Sequence, residues 1–303
     1  MADIAGEIDI RGIDIDKLAK GFADLEPNVI KQFVASSKAV ARELRWYQKT
    51  SGFIDTQTTD DTAGTLISNT SGGRPFVAEQ SWTRNTSYVK EFFVESPMLS
   101  NSDLKDNDVD LLTTTIRDLV RSVQRKVGLR MFEILVNALA ATPTQPLTGA
   151  VTVQNTASTA GWDQVATANP ILDILNGQMK IRQQGYDAGQ AIIAMNSIEH
   201  KFLISYLINV KGSSIPSFST EKLRSGVVME ILGNSVIVDE IFTTDWVYQW
   251  VPNRVATWKS FTPISSAKIV EPLIGVKIRV KEEGELILHD PNAMHIISNT
   301  IGV

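Results

Sequence analysis

Residues 108–141 read DVDLLTTTIRDLVRSVQRKVGLRMFEILVNALAA, and this stretch decides the architecture. Its apolar residues recur at steps of three and four, which places them on one face of a helix. They are Val109, Leu112, Ile116, Leu119, Val120, Val123, Val127, Met131, Leu135 and Leu139. Asp106, Asn107 and Asp108 suit a helix N-terminus, and Pro143 stops the helix. The pattern predicts one helix of about nine turns and roughly 50 Å, far longer than an ordinary globular helix.

The composition is that of a folded globular protein. The 303 residues are 43% hydrophobic and 21% charged, enough for one large domain or two modest ones with a hydrophobic core. The absence of cysteine excludes disulfides, thiolate metal sites and a cysteine nucleophile, and it fits a reducing cytoplasm. The net charge of -5 opposes broad contact with nucleic-acid phosphates, so extensive genome binding is not expected.

No apolar run approaches the roughly 20 residues of a membrane span, and we expect no membrane association. The first ten residues, MADIAGEIDI, are acidic and lack the apolar block of a secretory signal.

Upstream of the long helix, the sequence predicts an arm, a helix and an excursion. Residues 7–16 form a short acidic segment, which is typical of an arm. After Pro27, apolar residues from Val29 to Leu44 follow a helical spacing, which predicts a helix that ends near Trp46. Residues 50–74 are rich in Gly, Thr, Ser and Asp and suit a long exposed loop. Strands near 75–83 and 86–96 would complete a two-stranded excursion.

Downstream, the sequence predicts a second unit that begins after the Thr-, Ala-, Pro- and Gly-rich residues 142–169. A helix at 170–184, an apolar strand at 191–195 and a helix at 197–210 indicate an α/β layer. Short strands follow, and their alternating apolar and charged residues are typical of a half-buried antiparallel sheet. They are expected at 227–231 and 235–238, around a Gly233-Asn234 turn, and then at 275–281, 285–288 and 294–297.

The candidate catalytic residues do not form a convincing set. His200, His289 and His295 lack the spacing of metal ligands, and His289-Asp290 fits a turn after a strand better than an acid–base pair. Glu282-Glu283 would alternate across a strand, which favours a solvated edge over glycoside chemistry. The acids Asp55, Asp60 and Asp61 lack the spacing of a calcium loop.

Two further residue groups have structural interpretations. Trp246, Trp250 and Trp258 lie where strands begin or end, and we interpret them as core or interface anchors. Arg117, Arg121 and Arg125 form one stripe on the long helix that could face DNA. A stripe of three arginines without aromatic neighbours is more often solvated or directed at a partner protein. We therefore predict no catalytic, cofactor-binding or metal-binding residues and no enzyme activity.

Four stretches resemble those of the major capsid proteins of tailed double-stranded DNA viruses. They are GGRPFVAEQSWTRNTSYVKEFFVESPMLSNSDLKDNDVDLLTTTIRDLV, ILDILNGQMKIRQQGYDAGQAIIAMNSIEHKFLISYL, MEILGNSVIVDE and KIRVKEEGELILHDPNAMHII. The resemblance as a whole spans residues 30–303, and the order of the stretches carries it.

The resemblance implies an α+β fold of the Hong Kong 97 type, with an N-terminal arm, an extended loop, a peripheral domain around a long spine helix, and an axial domain. The implied boundaries are 1–45 for the arm and helix, 46–97 for the extended loop, 98–160 for the peripheral domain, 161–257 for the axial domain and 258–303 for strands that return to the peripheral domain.

The function implied is that of a head subunit, which assembles with itself into the pentamers and hexamers of an icosahedral shell around a double-stranded DNA genome. Portal, scaffold or decoration proteins would be further partners, without sequence-specific nucleic-acid binding and without a cofactor. The location would be the virion, after assembly in the host cytoplasm. An encapsulin-like compartment around a cargo enzyme is the alternative, and an α/β hydrolytic enzyme is the second.

Two details modify what the resemblance implies. Some relatives join loop lysines covalently to neighbouring asparagines, but no lysine lies between Thr50 and Val89, so we expect shells without such cross-links. No helical segment of about a hundred residues precedes Pro27, so a fused scaffolding domain is not expected.

Overall fold

The computed structural model describes residues 12–25, 28–49, 82–102, 111–137, 153–164, 166–208 and 230–302. Its α-helices are α1 (Gly12–Leu25), α2 (Leu111–Asn137), α3 (Pro170–Gln183) and α4 (Ser197–Tyr206). Its strands are β1 (Ala35–Lys38), β2 (Glu43–Lys49), β3 (Trp82–Tyr88), β4 (Lys90–Glu95), β5 (Leu99–Ser100), β6 (Gln154–Ala157), β7 (Ile192–Met195), β8 (Glu230–Ile231), β9 (Asn234–Val238), β10 (Trp246–Trp250), β11 (Ala256–Glu271), β12 (Gly275–Leu288) and β13 (Met294–Ser298).

The long helix α2 forms as the apolar spacing predicts. The described members of the stripe, from Leu112 to Leu135, are all buried, and Ile116, Val123, Val127 and Met131 are fully so. The predicted ends of the helix, at 108–110 and 138–141, lie outside the described residues. Burial of one continuous face is what stabilises a helix of this length.

The first of two compact units contains α2 and a five-stranded sheet. It comprises residues up to Leu44, Ser87–Leu135 and Thr257–Ile287. The sheet order is β1-β11-β12-β4, and β5 also pairs with β12. The long strands β11 and β12 are joined by a turn at residues 272–274, and β12 lies in the sheet interior.

The second unit contains a six-stranded sheet in the order β6-β13-β10-β7-β9-β8. Helix α3 packs against β13. An asparagine caps the N-terminus of each helix in this unit. Asn169 accepts a hydrogen bond from the Leu172 amide in α3, and Asn196 accepts one from the Ile198 amide in α4. The hydrophobic core of this unit joins residues of both helices to the central strands.

The sequence interpretation of residues 7–46 was wrong in two places. Residues 12–25 form the helix α1, which includes residues 12–16 of the predicted arm. The helix predicted from Pro27 to Trp46 does not form; a short 3-10 helix at Ile30–Gln32 is followed by β1 and β2. Strand β1 pairs in parallel with β11 more than 200 residues later, from Ala35 opposite Thr257. Such long-range pairing overrides a local spacing that only partly resembles a helix.

The excursion pairs differently from the prediction. Strand β3 pairs with β2 in a two-stranded sheet, whereas β4 pairs with β12. Residues 50–81 lie outside the described residues, and they include the whole predicted loop at 50–74 and most of the strand predicted at 75–83.

The predicted α/β layer is present as α3, β7 and α4, each within a few residues of its predicted bounds. The turn between β8 and β9 lies at residues 232–233, one position earlier than predicted. The segments predicted at 275–281 and 285–288 are one strand, β12. Strand β13 pairs with β10 and β6 in the second sheet rather than returning to the first, because its fully buried residues match the sheet interior there.

Candidate functional site

The two-stranded sheet β2–β3 presents a face of aromatic and arginine side chains. Along both strands buried and exposed residues alternate, as side chains of a strand must when one face packs on a core. Arg45, Tyr47, Trp82 and Arg84 occupy four of the exposed positions, and we call them the aromatic–arginine face. Tyr47 is 63% exposed and Trp82 is 51% exposed. Trp, Tyr and Arg are the residues that most often dominate binding energy at protein interfaces.

The opposite face of this sheet is anchored. The indole of Trp46 donates a hydrogen bond to the Leu288 carbonyl at 2.9 Å. Gln48 and Asn85, both fully buried, join the two strands through a side-chain hydrogen bond of 2.8 Å. These contacts hold the aromatic–arginine face in a fixed orientation, so its aromatic groups stay in water in the isolated chain.

A second exposed apolar feature is the turn between β11 and β12, which we call the hairpin tip. Val270, Leu273 and Ile274 are exposed there, and Leu273 is 99% exposed. Leu273 also has a positive φ of 66°, which is uncommon for a leucine. In the isolated subunit, neither the exposure of this large apolar side chain nor its left-handed backbone conformation adds to stability. The combination points to a contact with another molecule.

Helix α3 carries a third apolar feature. Leu172, Leu175 and Met179 follow the spacing i, i+3, i+7 and are each more than 40% exposed. We call them the α3 stripe. The opposite face of the helix buries Ile174 and Ile181 in the second unit, so the stripe is a separate apolar surface and not the edge of the core.

The glutamates of β12 are not a solvated edge, which corrects the prediction for Glu282-Glu283. Both residues are buried, and they lie in an interior strand of the sheet, between β11 and β4. Glu282 pairs with Lys31, whose ammonium also lies 5.0 Å from the centre of the Trp258 ring, and Glu283 pairs with Lys281. The hydrogen bond from Lys281 lowers the pKa of Glu283. These carboxylates therefore act as internal ion pairs, not as an open acid–base dyad.

The histidines lie apart in the fold. His295 is buried in β13, where its Nε2 lies 3.0 Å from the Thr156 hydroxyl. Burial, with the charge of Lys180, lowers the pKa of His295 to about 4, and burial also lowers the pKa of His200 in α4. His289 follows the end of β12, as predicted for a turn, and its amide bonds to the Val255 carbonyl at 2.9 Å.

Asp290 accepts a hydrogen bond from the Tyr186 hydroxyl. Burial and this bond raise the pKa of Tyr186. Among the described residues, no group of three or more acidic or histidine side chains could hold a metal ion. Asp55, Asp60 and Asp61 lie outside the described residues.

The tryptophans divide between core and surface. Trp250 and Trp258 are buried, which confirms their interpretation as core anchors, while Trp246 is partly exposed. Trp246 lines an open polar groove of about 680 Å³ beside β6 and the C-terminal end of α3. Trp82, on the aromatic–arginine face, was not singled out from the sequence. The alternation of ELRWYQK at 43–49 could have indicated the strand that carries Tyr47 beside it.

The chain as a whole is similar to solved virus shells. No family model matches the sequence, and no curated protein matches it. The capsid of the cyanophage P-SCSP1u matches with a TM-score of 0.63 at 9% identity, over 98% of this chain and 92% of that one. A virus-like particle from Pyrococcus furiosus matches with a TM-score of 0.61 at 10% identity, over 94% and 98%. The capsid of a native GTA particle matches with a TM-score of 0.61 at 12% identity, over 100% and 96%.

The chain has the Hong Kong 97-type capsid fold. Because the likeness covers nearly all of each chain, it includes both compact units and is not limited to one local motif. The α+β class and the capsid fold predicted from the order of the parts are thus confirmed. Within this fold α2 is the long helix that the sequence predicted as a spine. Among the described residues, no helix is long and apolar enough to cross a membrane.

Proposed function

We propose that the chain is the major capsid subunit of a tailed double-stranded DNA virus, which assembles with itself into an icosahedral shell around the genome. The observation that carries this proposal is the end-to-end similarity to several solved capsids, two of which come from a phage and a GTA particle. Sequence identity near 10% leaves only shape in common, and shape is what a repeating shell subunit must keep.

Three exposed apolar surfaces support assembly. The aromatic–arginine face and the α3 stripe belong to the second unit, and the hairpin tip belongs to the first. A subunit in a closed shell meets several neighbours through different surfaces, because rings and their junctions need heterologous contacts. A monomeric enzyme would gain nothing from such surfaces, which favour aggregation when they have no partner.

The two units also suggest how the fold divides its tasks. We assign the first unit, with α2 and the long strands β11 and β12, to the peripheral domain, and the six-stranded sheet with α3 and α4 to the axial domain. The sheet β2–β3 would be the base of the extended loop. In this assignment β13 belongs to the axial domain.

The alternatives receive less support. The phage and GTA capsids among the similar structures favour a virus head over a cargo compartment. A hydrolytic enzyme would need a nucleophile, a base and an acid in one cleft. Here His295 is buried beside a threonine, and the β12 carboxylates are held in ion pairs. We infer a structural role without catalysis, with portal, scaffold or decoration proteins as further partners, and location in the virion after assembly in the host cytoplasm.

Electron microscopy of the purified full-length chain tests this proposal. We expect uniform closed particles of icosahedral shape; small soluble oligomers under all assembly conditions would contradict it. The double variant Tyr47→Ser/Trp82→Ser should fold normally, because both side chains are exposed, yet form few closed particles. The matched variant Tyr47→Phe/Trp82→Phe keeps the aromatic area and should assemble.

A further inference from the structure

Strand β6 lies at the edge of the six-stranded sheet. Among the described residues it pairs on one side only, in parallel with β13. Just beyond β6, the Ser158 amide donates to the Ser298 carbonyl at 2.8 Å. Because alternate residues of a strand bond to the same side, Thr156 also bonds towards β13, while the N–H and C=O groups of Asn155 and Ala157 point away from it. Both of these residues are exposed, so their backbone groups are accessible to a further strand.

The polar groove beside this edge, which we call the β6 groove, carries a positive charge. Of the described residues that line it, Lys180 is the one charged side chain, and no carboxylate there balances it. The others are mostly amides, with the Trp246 indole at one wall. The side-chain oxygen of Gln154 is buried and has no hydrogen-bond partner in the described part of the chain. The groove thus suits an occupant that brings carboxylates and N–H groups.

An extended polypeptide supplies both kinds of group at once. When a peptide adds to an exposed sheet edge, its main-chain hydrogen bonds give affinity, and flanking side chains give specificity. At β6, Asn155 and Ala157 would provide the main-chain bonds, and Lys180 would select for acidic side chains. The occupant that fits this edge is therefore an acidic segment in extended conformation.

The chain itself contains a segment of this kind. Residues 3–10 read DIAGEIDI, with acids at the odd positions 3, 7 and 9 and isoleucines at the even positions 4, 8 and 10. Such alternation is typical of a strand with one acidic and one apolar face. Fully extended, the segment spans up to roughly 28 Å beyond α1, which begins at Gly12. That length is enough to reach a neighbouring molecule.

We infer that residues 3–10 of a second copy add to the six-stranded sheet as a strand beside β6, with their carboxylates directed at Lys180. The inference rests on the proposed function and deepens it, because it names one contact through which the copies hold each other. The segment of one copy meets a different surface of the next. A heterologous contact of this kind can repeat from copy to copy around a ring.

Disulfide trapping between assembled full-length chains tests the inference. The chain contains no cysteine, so introduced cysteines form the only disulfides. One chain carries Asn155→Cys, and a second chain with a different affinity tag carries one cysteine in the segment. The four versions of the second chain are Gly6→Cys, Glu7→Cys, Ile8→Cys and Asp9→Cys. Because side chains of a strand alternate between two faces, mixed dimers should form at two alternate positions and be lost at the two between them.

An exposed residue of an interior strand is the control for this experiment. Ser235 is exposed in β9, which has partners on both sides. Ser235→Cys should therefore give no mixed dimer with any of the four chains. Equal cross-linking at all four positions, or equal cross-linking to Ser235→Cys, would show proximity without strand pairing and would overturn the inference.

Two substitutions at Asn155 separate strand addition from contact through side chains. Asn155→Pro removes an N–H that points away from β13, so the pairing of β6 with β13 is kept, as thermal unfolding will verify. With the cysteine moved to Ala157→Cys, the proline should lower the yield of mixed dimer at least about fivefold, the effect of one lost hydrogen bond. Asn155→Ala keeps the N–H and should keep the yield. An equal yield from both variants would contradict pairing at this edge.

The charge at Lys180 provides an independent readout. Lys180→Gln should lower the yield of mixed dimer about two- to fivefold, as expected for an exposed ion pair, whereas Lys180→Arg should preserve it. A chain with both cysteines that closes its disulfide internally in dilute, unassembled solution would place the segment on its own copy and refute the inference. Closed particles without mixed dimers would also refute it and leave the proposed function intact. Failure of the proposed function is seen separately, as the absence of closed particles from the wild type.

Discussion

Arg130 of α2 and Glu285 of β12 form a two-point ion pair in the first unit. The Nε and Nη2 atoms of the guanidinium donate to the two carboxylate oxygens at 3.2 and 3.4 Å. Glu285 is fully buried, and burial raises its pKa although the positive charge of Arg130 opposes the shift. The pair fixes the register between the long helix and the long hairpin, since it is directional where apolar packing is not.

Removing one partner of this pair should be costly. Arg130→Met leaves a buried carboxylate without its counter-charge, and we expect the free energy of unfolding to fall by about 3–5 kcal/mol. Glu285→Gln should cost less, because the neutral amide still fills the space and can accept a hydrogen bond. Chemical denaturation of the unassembled subunit measures both. The double variant Arg130→Met/Glu285→Leu should recover most of the loss, and a loss equal to the sum of the single ones would refute this account.

Two helix glycines provide a matched test of packing. At Gly177 in α3, an added Cβ would lie 2.1 Å from Oε1 of Gln249 and 2.8 Å from Nδ1 of His295. Gln249 cannot easily move, because it is fully buried and donates to the Ile174 carbonyl at 3.1 Å. Gly177→Ala should therefore lower the free energy of unfolding by about 1–3 kcal/mol, in spite of the better helix propensity of alanine.

Gly21 in α1 is the control, since a Cβ there would meet nothing within 4 Å. Gly21→Ala should stabilise the chain by about 0.5–1 kcal/mol. Thermal unfolding of the two variants side by side should show shifts of opposite sign. Equal shifts would mean that α3 does not approach β10 as closely as the structure shows.

The buried His295 should make the subunit sensitive to acid. Its pKa is lowered from 6.5 to about 4, so the unfolded chain takes up a proton between these pH values and the folded chain does not. Stability from this residue is complete above pH 6.5 and is lost as the pH falls towards 4, by roughly 3 kcal/mol in total. His295→Gln should flatten the dependence of unfolding free energy on pH in this window. An unchanged slope in His295→Gln would rule out His295 as the source.

Local pattern was sufficient to predict the long helix and the α3–β7–α4 segment. In each segment, the apolar residues whose spacing predicts the element are the residues that the fold buries. The spacing after Pro27 resembled a helix equally well, but β1 owes its structure to β11, a strand that lies far away in sequence. When a local sequence fits both a helix and a strand, the distant segment with which it pairs determines its structure. The local pattern holds no information on that segment.

The functional surfaces were hidden for the same reason. Glu282 and Glu285 look solvent-exposed in sequence because their cationic partners, Lys31 and Arg130, are separated from them by 251 and 155 residues. Tyr47 and Trp82 become one face only when β2 pairs with β3. By contrast, Arg117, Arg121 and Arg125 share a helix, so their common exposed row could be predicted.

The segment between β2 and β3 should be required for assembly but not for folding. Deleting residues 52–73 leaves both strands and their anchors, the Trp46–Leu288 hydrogen bond and the Gln48–Asn85 hydrogen bond, in place. Because the composition of this stretch is rich in Gly, Thr and Asp, we expect its loss to change the thermal midpoint by only a few degrees. We expect the deletion variant to be folded by circular dichroism and to form no closed shells in electron micrographs. A variant with the same 22 residues in scrambled order separates chain length from specific contacts, and normal particles from the deletion variant would show that this segment does not link neighbouring subunits.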